Sequence, residues 1–157
     1  MSKKLLKPRF DVCVIGGAGH VGLPLGVSFA LAGKRTVLLD INEVSVASIM
    51  RGKFPFKEEK GDEHLKKALK QGTLTAVTGP ADVISQSKVI VMVVGTPVDE
   101  YLNPHFGALE RTLEKYLPHF RDGQVFMLRS TVFPGTAERI QSYFKKHRLT
   151  IGVAFCP

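Results

Sequence analysis

The chain has 157 residues, 44% of them apolar, with 22 Lys+Arg against 14 Asp+Glu and hence a formal charge of +8. Such a length builds one ordinary core rather than two, and the apolar content excludes a disordered chain. Cys13 and Cys156 are too few and too far apart for a disulfide scaffold or a CxxC metal site, and no apolar run reaches the ~18 residues of a membrane span. Residues 1–9 are basic, but the apolar run after them is broken by Asp11 and soon turns glycine-rich, a poor signal peptide. A soluble cytoplasmic domain with no membrane partner is expected.

The first apolar run, Asp11-Val12-Cys13-Val14-Ile15, reads as a strand buried on both faces. It enters a glycine cluster and then a helix over 21–32, stopped at Gly33. Thr36-Val37-Leu38-Leu39-Asp40 is a second strand, and Asn42 caps a helix over 43–51. Residues 54–61 form a loop and 62–70 a charged helix. A weaker strand over 73–78 and a short helix near 80–86 lead to 89–94, the most apolar strand of all. A helix over 106–117, a strand over 125–128, a helix over 136–146 and a strand over 149–155 complete the pattern. Six strands separated by helices predict an α/β fold, a doubly wound parallel sheet of order 3-2-1-4-5-6. It occupies 11–157, and residues 1–10 are a basic tail. Ligands of such sheets bind at the carboxyl ends of strands 1 and 4, where the winding direction reverses.

The positive charge is concentrated rather than spread. Residues 1–10 hold Lys3, Lys4, Lys7 and Arg9 with no acid, and Lys145, Lys146 and Arg148 form a second cluster; the remainder has 15 basic against 14 acidic residues. Basic residues in a last helical turn are favoured by the helix dipole. No aromatic residues interleave with either cluster as base stacking requires, so nucleic acid is not an expected partner. The five histidines show no paired ligand spacing, and no metal site is expected.

The chemistry gathers at the strand ends. Gly17-Ala18-Gly19-His20-Val21-Gly22 is a GxGxxG between a strand and a helix, with Asp40 closing strand 2. In this pattern Gly17 permits the tight turn, Gly19 lets the backbone approach a pyrophosphate, and Gly22 brings the helix close to the sheet. The pyrophosphate sits on the helix N-terminus. Asp40 accepts from the ribose hydroxyls and repels a 2′-phosphate, which favours NAD over NADP. Pro24 falls in the first helical turn, where its missing N–H costs little, and Gly26 extends the close face of Gly22. Strand 4 ends in Gly95-Thr96-Pro97, and strand 5 in Ser130-Thr131, followed by Val132-Phe133-Pro134-Gly135-Thr136. These small and hydroxylated residues suit a cofactor rim or helix caps, and Pro134 suits the start of the next helix.

From Val14 to Leu25, the chain resembles the opening of the UDP-glucose/GDP-mannose dehydrogenase family. The likeness continues through Asp40, the G-x-x-P-x-x-E loop over 52–58, Val94-Gly95-Thr96-Pro97, and Ser130-Thr131-Val132 with Pro134-Gly135-Thr136. Two departures are His20, where the family usually has Tyr, and the extra Gly16; neither removes an N–H that faces the phosphates. The resemblance implies a Rossmann-type domain that binds NAD through Gly17, Ala18, Gly19, His20, Val21, Asp40, Gly95, Thr96 and Ser130. It implies that Thr131 is the active-site threonine that positions water or substrate. It further implies an enzyme that oxidises C6 of a nucleotide-sugar from alcohol to carboxylate with two NAD⁺, for polysaccharide assembly. The stretch 95–104 leans toward UDP-N-acetylmannosamine, with UDP-glucose close behind. The family's catalytic cysteine belongs to a C-terminal domain absent from these residues, as is its central helix, through which family members dimerise. Cys156, at the end of strand 6, does not match that cysteine, and Cys13 reads as a small core residue. The 157 residues alone are expected to be a monomer that binds NAD without turning over a sugar.

Three rival readings follow from the same residues. A stand-alone NAD-binding or sensing module shares the glycine turn and Asp40. Another β-hydroxyacid-type dehydrogenase shares them too, but lacks the Ser-Thr-Val-x-Pro-Gly-Thr segment. Nucleic-acid binding through the basic clusters would show an affinity that falls steeply with salt.

Overall fold

The computed structural model describes residues 7–79, 81–93 and 106–156. In chain order the elements are β1 (Phe10–Ile15), α1 (Gly22–Leu31), β2 (Thr36–Leu39), α2 (Glu43–Met50), α3 (Gly61–Lys70), β3 (Leu74–Val77), β4 (Ser87–Met92), α4 (Phe106–Tyr116), β5 (Val125–Leu128), α5 (Thr136–Lys146) and β6 (Gly152–Phe155). The six strands make one sheet of order β3-β2-β1-β4-β5-β6, parallel throughout. This is the doubly wound order expected from the alternation of strands and helices.

Side-chain alternation along each strand separates two cores. Val12 and Val14 of β1 join Leu38 and Val91 under α1, α2 and α3, with Leu23, Val27, Ile49 and Leu65. Cys13 and Ile15 face the other way and join Ile90, Met92 and Phe126 under α4 and α5, with Leu113, Ile140 and Phe144. Both layers are apolar, which is why the strands read as continuous apolar runs rather than alternating ones.

The helix ends follow local chemistry. Asn42 caps α2 as expected, its Oδ1 accepting from the Ser45 N–H at 3.0 Å. Past α1, Gly33 adopts φ 79°, and the Lys34 N–H bonds the Phe29 carbonyl at 3.0 Å. Three boundaries differ from the sequence pattern. The residues near 80–86 give only a 3₁₀ turn, Ala81–Val83. β4 starts at Ser87 because the Phe10 N–H bonds the Gln86 carbonyl and pulls that segment into register with β1. β6 loses its first residues because the Thr150 N–H is taken by Asp122 Oδ1 at 2.7 Å, not by a strand. Pro134 stands outside α5, which begins at Thr136 after Gly135 at φ 85°.

The amino edge of the sheet is tied by side chains. Arg35 clasps Asp11 with Nε and Nη2 at 3.1 and 3.0 Å, and Lys88 stands 3.9 Å from the same carboxylate. The bonds to Arg35 lower the Asp11 carboxyl to about 2. Gln124 is buried between β4 and β5: its Nε2 donates to the Ile84 and Ser87 carbonyls at 2.6 and 2.8 Å, and its Oε1 accepts from the Arg121 N–H at 2.8 Å. Because α5 returns the chain to this edge, Lys145 and Lys146 in its last turn stand on the same edge as Arg9 and Arg35.

Candidate functional site

At the carboxyl edge, β1 runs into the glycine turn. The Gly16 and Gly17 N–H groups both bond the Leu39 carbonyl, at 2.9 and 3.2 Å, and so stitch the turn to β2. Gly16 carries the left-handed conformation, φ 80°, so the tight turn belongs to Gly16 and not to Gly17. The reason Gly17 must be glycine is contact: a Cβ there would lie 2.7 Å from Leu38 Cβ and 2.9 Å from the Val14 carbonyl oxygen. Gly16 is therefore the working residue of the turn rather than a surplus glycine ahead of it. At Gly22 a Cβ would collide with the Gly16 carbonyl oxygen and lie 2.9 Å from Gly17 Cα, which is the close helix approach the pattern predicts. Gly26 does extend that face, since a Cβ there would run into Leu38.

Gly19 is different. A Cβ there would meet only the Gly16 carbonyl oxygen, at 3.5 Å, so fold packing does not require glycine at this position. The space beside it is open. Behind it α1 starts without a side-chain cap at Val21 and without an acidic residue in its first turn. A helix end of this kind keeps its positive dipole end and amide donors for an anion.

Asp40, directly after β2, is brought to the turn. Its Oδ2 accepts from the Ala18 N–H at 2.9 Å, and its Oδ1 from the Asn42 N–H at 3.0 Å. Each carboxylate oxygen has a second lone pair for a further donor. Ile41 and Val44 follow with 76% and 79% of their surface exposed, apolar area beside the acid that suits the flat face of a base. Neither was singled out in the sequence, where an exposed aliphatic on a short helix carries no signal. His20 projects from the turn and stacks on Phe56, ring centroids 4.0 Å apart and planes 20° from parallel.

Ser130 and Thr131 follow β5, half-buried and exposed respectively, and the Arg129 N–H bonds the Met92 carbonyl to hold their segment beside the end of β4. They share the edge with the glycine turn but lie two strands away, on the order of 10 Å at ordinary strand spacing. Gly95 and Thr96, and the whole 95–104 stretch, lie outside the described residues. Among the described residues no group of His, Cys, Asp and Glu could hold a metal ion, and no helix is long and apolar enough to cross a membrane. Cys13 is fully buried and burial pushes its thiol up to about 12, whereas Cys156 is exposed just past β6. The site thus combines an open glycine position, a helix start without a side-chain cap or an acid in its first turn, and the Asp40 carboxylate beside it.

Comparison with known proteins agrees. The family model for the NAD-binding domain of the UDP-glucose/GDP-mannose dehydrogenase family matches residues 10–157. The chain is 30% identical over 149 residues to a UDP-N-acetyl-D-mannosamine dehydrogenase of Methanocaldococcus jannaschii, covering 93% of the chain and 34% of that protein. It is 28% identical over 141 residues to a UDP-glucose 6-dehydrogenase of Rickettsia conorii, covering 90% and 33%. The structure of a UDP-N-acetyl-mannosamine dehydrogenase from Staphylococcus aureus superposes with a TM-score of 0.83 at 25% identity, over 94% of this chain and 36% of that one. The chain therefore spans about a third of the length of these relatives.

Proposed function

This chain belongs to the UDP-glucose/GDP-mannose dehydrogenase family as its NAD-binding domain, and from that premise we propose which residues hold the cofactor and what reaction they serve. Gly17, Ala18, Gly19, His20 and Val21 at the start of α1 would hold the pyrophosphate, and Asp40 would accept from the adenosine ribose. Gly95, Thr96 and Ser130 would contact the remaining part of the cofactor. NAD⁺ supplies the electron acceptor when bound. Thr131 holds water or substrate next to the reacting carbon and so removes orientational freedom from the step.

The reaction is the oxidation of a UDP-sugar C6 alcohol to the carboxylate with two NAD⁺. UDP-N-acetylmannosamine and UDP-glucose are the two substrates the relatives' activities support. Neither cysteine described here acts as the nucleophile: Cys13 is sealed in the core and Cys156 follows the last strand. These 157 residues bind NAD⁺ and contribute Thr131, without supplying the nucleophile for the sugar chemistry.

The observation that carries this reading is the Asp40–Ala18 bond of 2.9 Å beside the open position at Gly19. It sets a carboxylate beside an open backbone turn, which supports reading the first as the ribose acceptor and the second as the phosphate site. Calorimetric titration tests it: NAD⁺ binds more tightly than NADP⁺, and Asp40→Ala weakens NAD⁺ by about ten- to a hundredfold, the worth of a charged hydrogen-bonding group. Equal affinity for NADP⁺ and NAD⁺ would remove the role given to Asp40.

A further inference from the structure

The contact between His20 and Phe56 joins two segments that the cofactor site does not otherwise connect. His20 belongs to the glycine turn, with its side chain exposed. Phe56 belongs to the loop between α2 and α3. That loop is firmly fixed. The Ser48 hydroxyl donates to the Lys53 carbonyl at 3.1 Å, and the Lys53 N–H bonds the Ser48 carbonyl at the same distance. The Phe54 N–H donates to Asp62 Oδ1 at 2.8 Å at the start of α3. Phe54 meets Phe56 edge to face, with centroids 5.4 Å apart and planes at 87°. Both phenylalanines pack against the core under α1 and α3.

The glycine turn is tied at its start, by the Gly16 and Gly17 N–H bonds to the Leu39 carbonyl and the Ala18 N–H bond to Asp40, and its tip at Gly19 and His20 lies beyond those ties to β2. A run of small residues gives it few side chains with which to fix its own conformation, and ordering it on binding costs backbone entropy. His20 is its one large polar side chain, and the structure lays that ring flat on an anchored partner.

We propose that Phe56 is a positioning residue for the cofactor: by stacking on His20 it holds the phosphate-binding turn in its binding conformation from the anchored loop over residues 52–61. The claim rests on the assignment of the pyrophosphate to this turn. Phe56 touches no part of the cofactor itself and acts through His20. A flat ring is what the role demands, because an aliphatic side chain of similar bulk fills the same space without the stacked geometry.

Titration of the 157-residue chain with NAD⁺ separates the possibilities. Phe56→Leu and His20→Ala each weaken NAD⁺ by about three- to tenfold, the worth of one aromatic pair. The double variant is no weaker than either single one, since both remove the same contact. Phe56→Tyr, which keeps a flat ring against His20, binds close to the wild type, a rescue that a merely structural role for Phe56 does not require. His20→Ala trims only an exposed side chain, so it reads the stack even where Phe56→Leu lowers stability. Wild-type chain that does not bind NAD⁺ would defeat the assignment of the site. Wild-type binding with an unchanged Phe56→Leu affinity, or with penalties that add in full in the double variant, would overturn the positioning role alone.

Discussion

At the amino edge of the sheet the loops are tied by side chains: Arg35 and Lys88 converge on Asp11, and the Gln124 amide bonds three backbone groups of other segments. At the carboxyl edge of β1 and β2 the opposite holds. There the turn is closed by missing side chains, with Gly17 against Leu38 and Gly22 against Gly16, and Asp40 is the side chain that spans it. The difference teaches where binding capacity comes from. An edge whose backbone donors and acceptors are taken up by Gln, Asp and Arg side chains is a stable floor. An edge built by close backbone approach leaves the uncapped start of α1 to a ligand.

The largest expected effect is at Gly22. Gly22→Ala drives a methyl into backbone that cannot swing aside, and should cost about 3 kcal/mol or prevent folding, read as Tm. Gly19→Ala is its counterpart in the same turn: Tm stays near the wild type, because the position is open, while NAD⁺ binding falls because the methyl occupies the phosphate's approach. If both variants lost stability alike, the distinction between packing and binding glycines would fail.

Gln124→Leu comes next. It removes the Gln124 bonds to the Ile84 and Ser87 carbonyls and the Arg121 N–H, the Ile84 carbonyl keeping its bond from the Ser87 N–H, and should cost about 2 kcal/mol, with NAD⁺ affinity unchanged in the variant that still folds. A fall in affinity would mean that the two edges are coupled.

The smallest effect concerns Asp11. Its carboxyl is lowered from an ordinary 3.8 to about 2 by the Arg35 hydrogen bonds, so its contribution is fully present above pH 3.8. It is lost as the pH falls toward 2, where the folded chain also takes up the proton. Asp11→Asn should flatten the dependence of Tm on pH in that window, by less than the Gln124→Leu loss, because the Arg35 side chain is half exposed.

Much of this was legible in the sequence because it is local or periodic. Continuous apolar runs mark strands buried on both faces, and both cores confirm that reading at β1, β2 and β4. GxGxxG with Asp40 marks a turn and an acid that the structure joins at 2.9 Å. What could not be read depends on distant partners. The need for glycine at position 17 comes from Leu38, a neighbour supplied by β2 and not by the turn. The Gln124 hub reaches back 40 and 37 residues to Ile84 and Ser87, and no spacing announces such a bond. Phe56 stands in an irregular loop, where periodicity offers nothing to place its ring against His20.

The most direct test of the account is to follow backbone amide shifts of the chain by NMR during titration with NAD⁺. The account predicts that the largest changes fall at residues 16–23 and 40–42, with Arg35, Lys88 and residues 121–124 of the opposite edge unmoved. Changes centred on that basic amino edge, with the glycine turn silent, would contradict it.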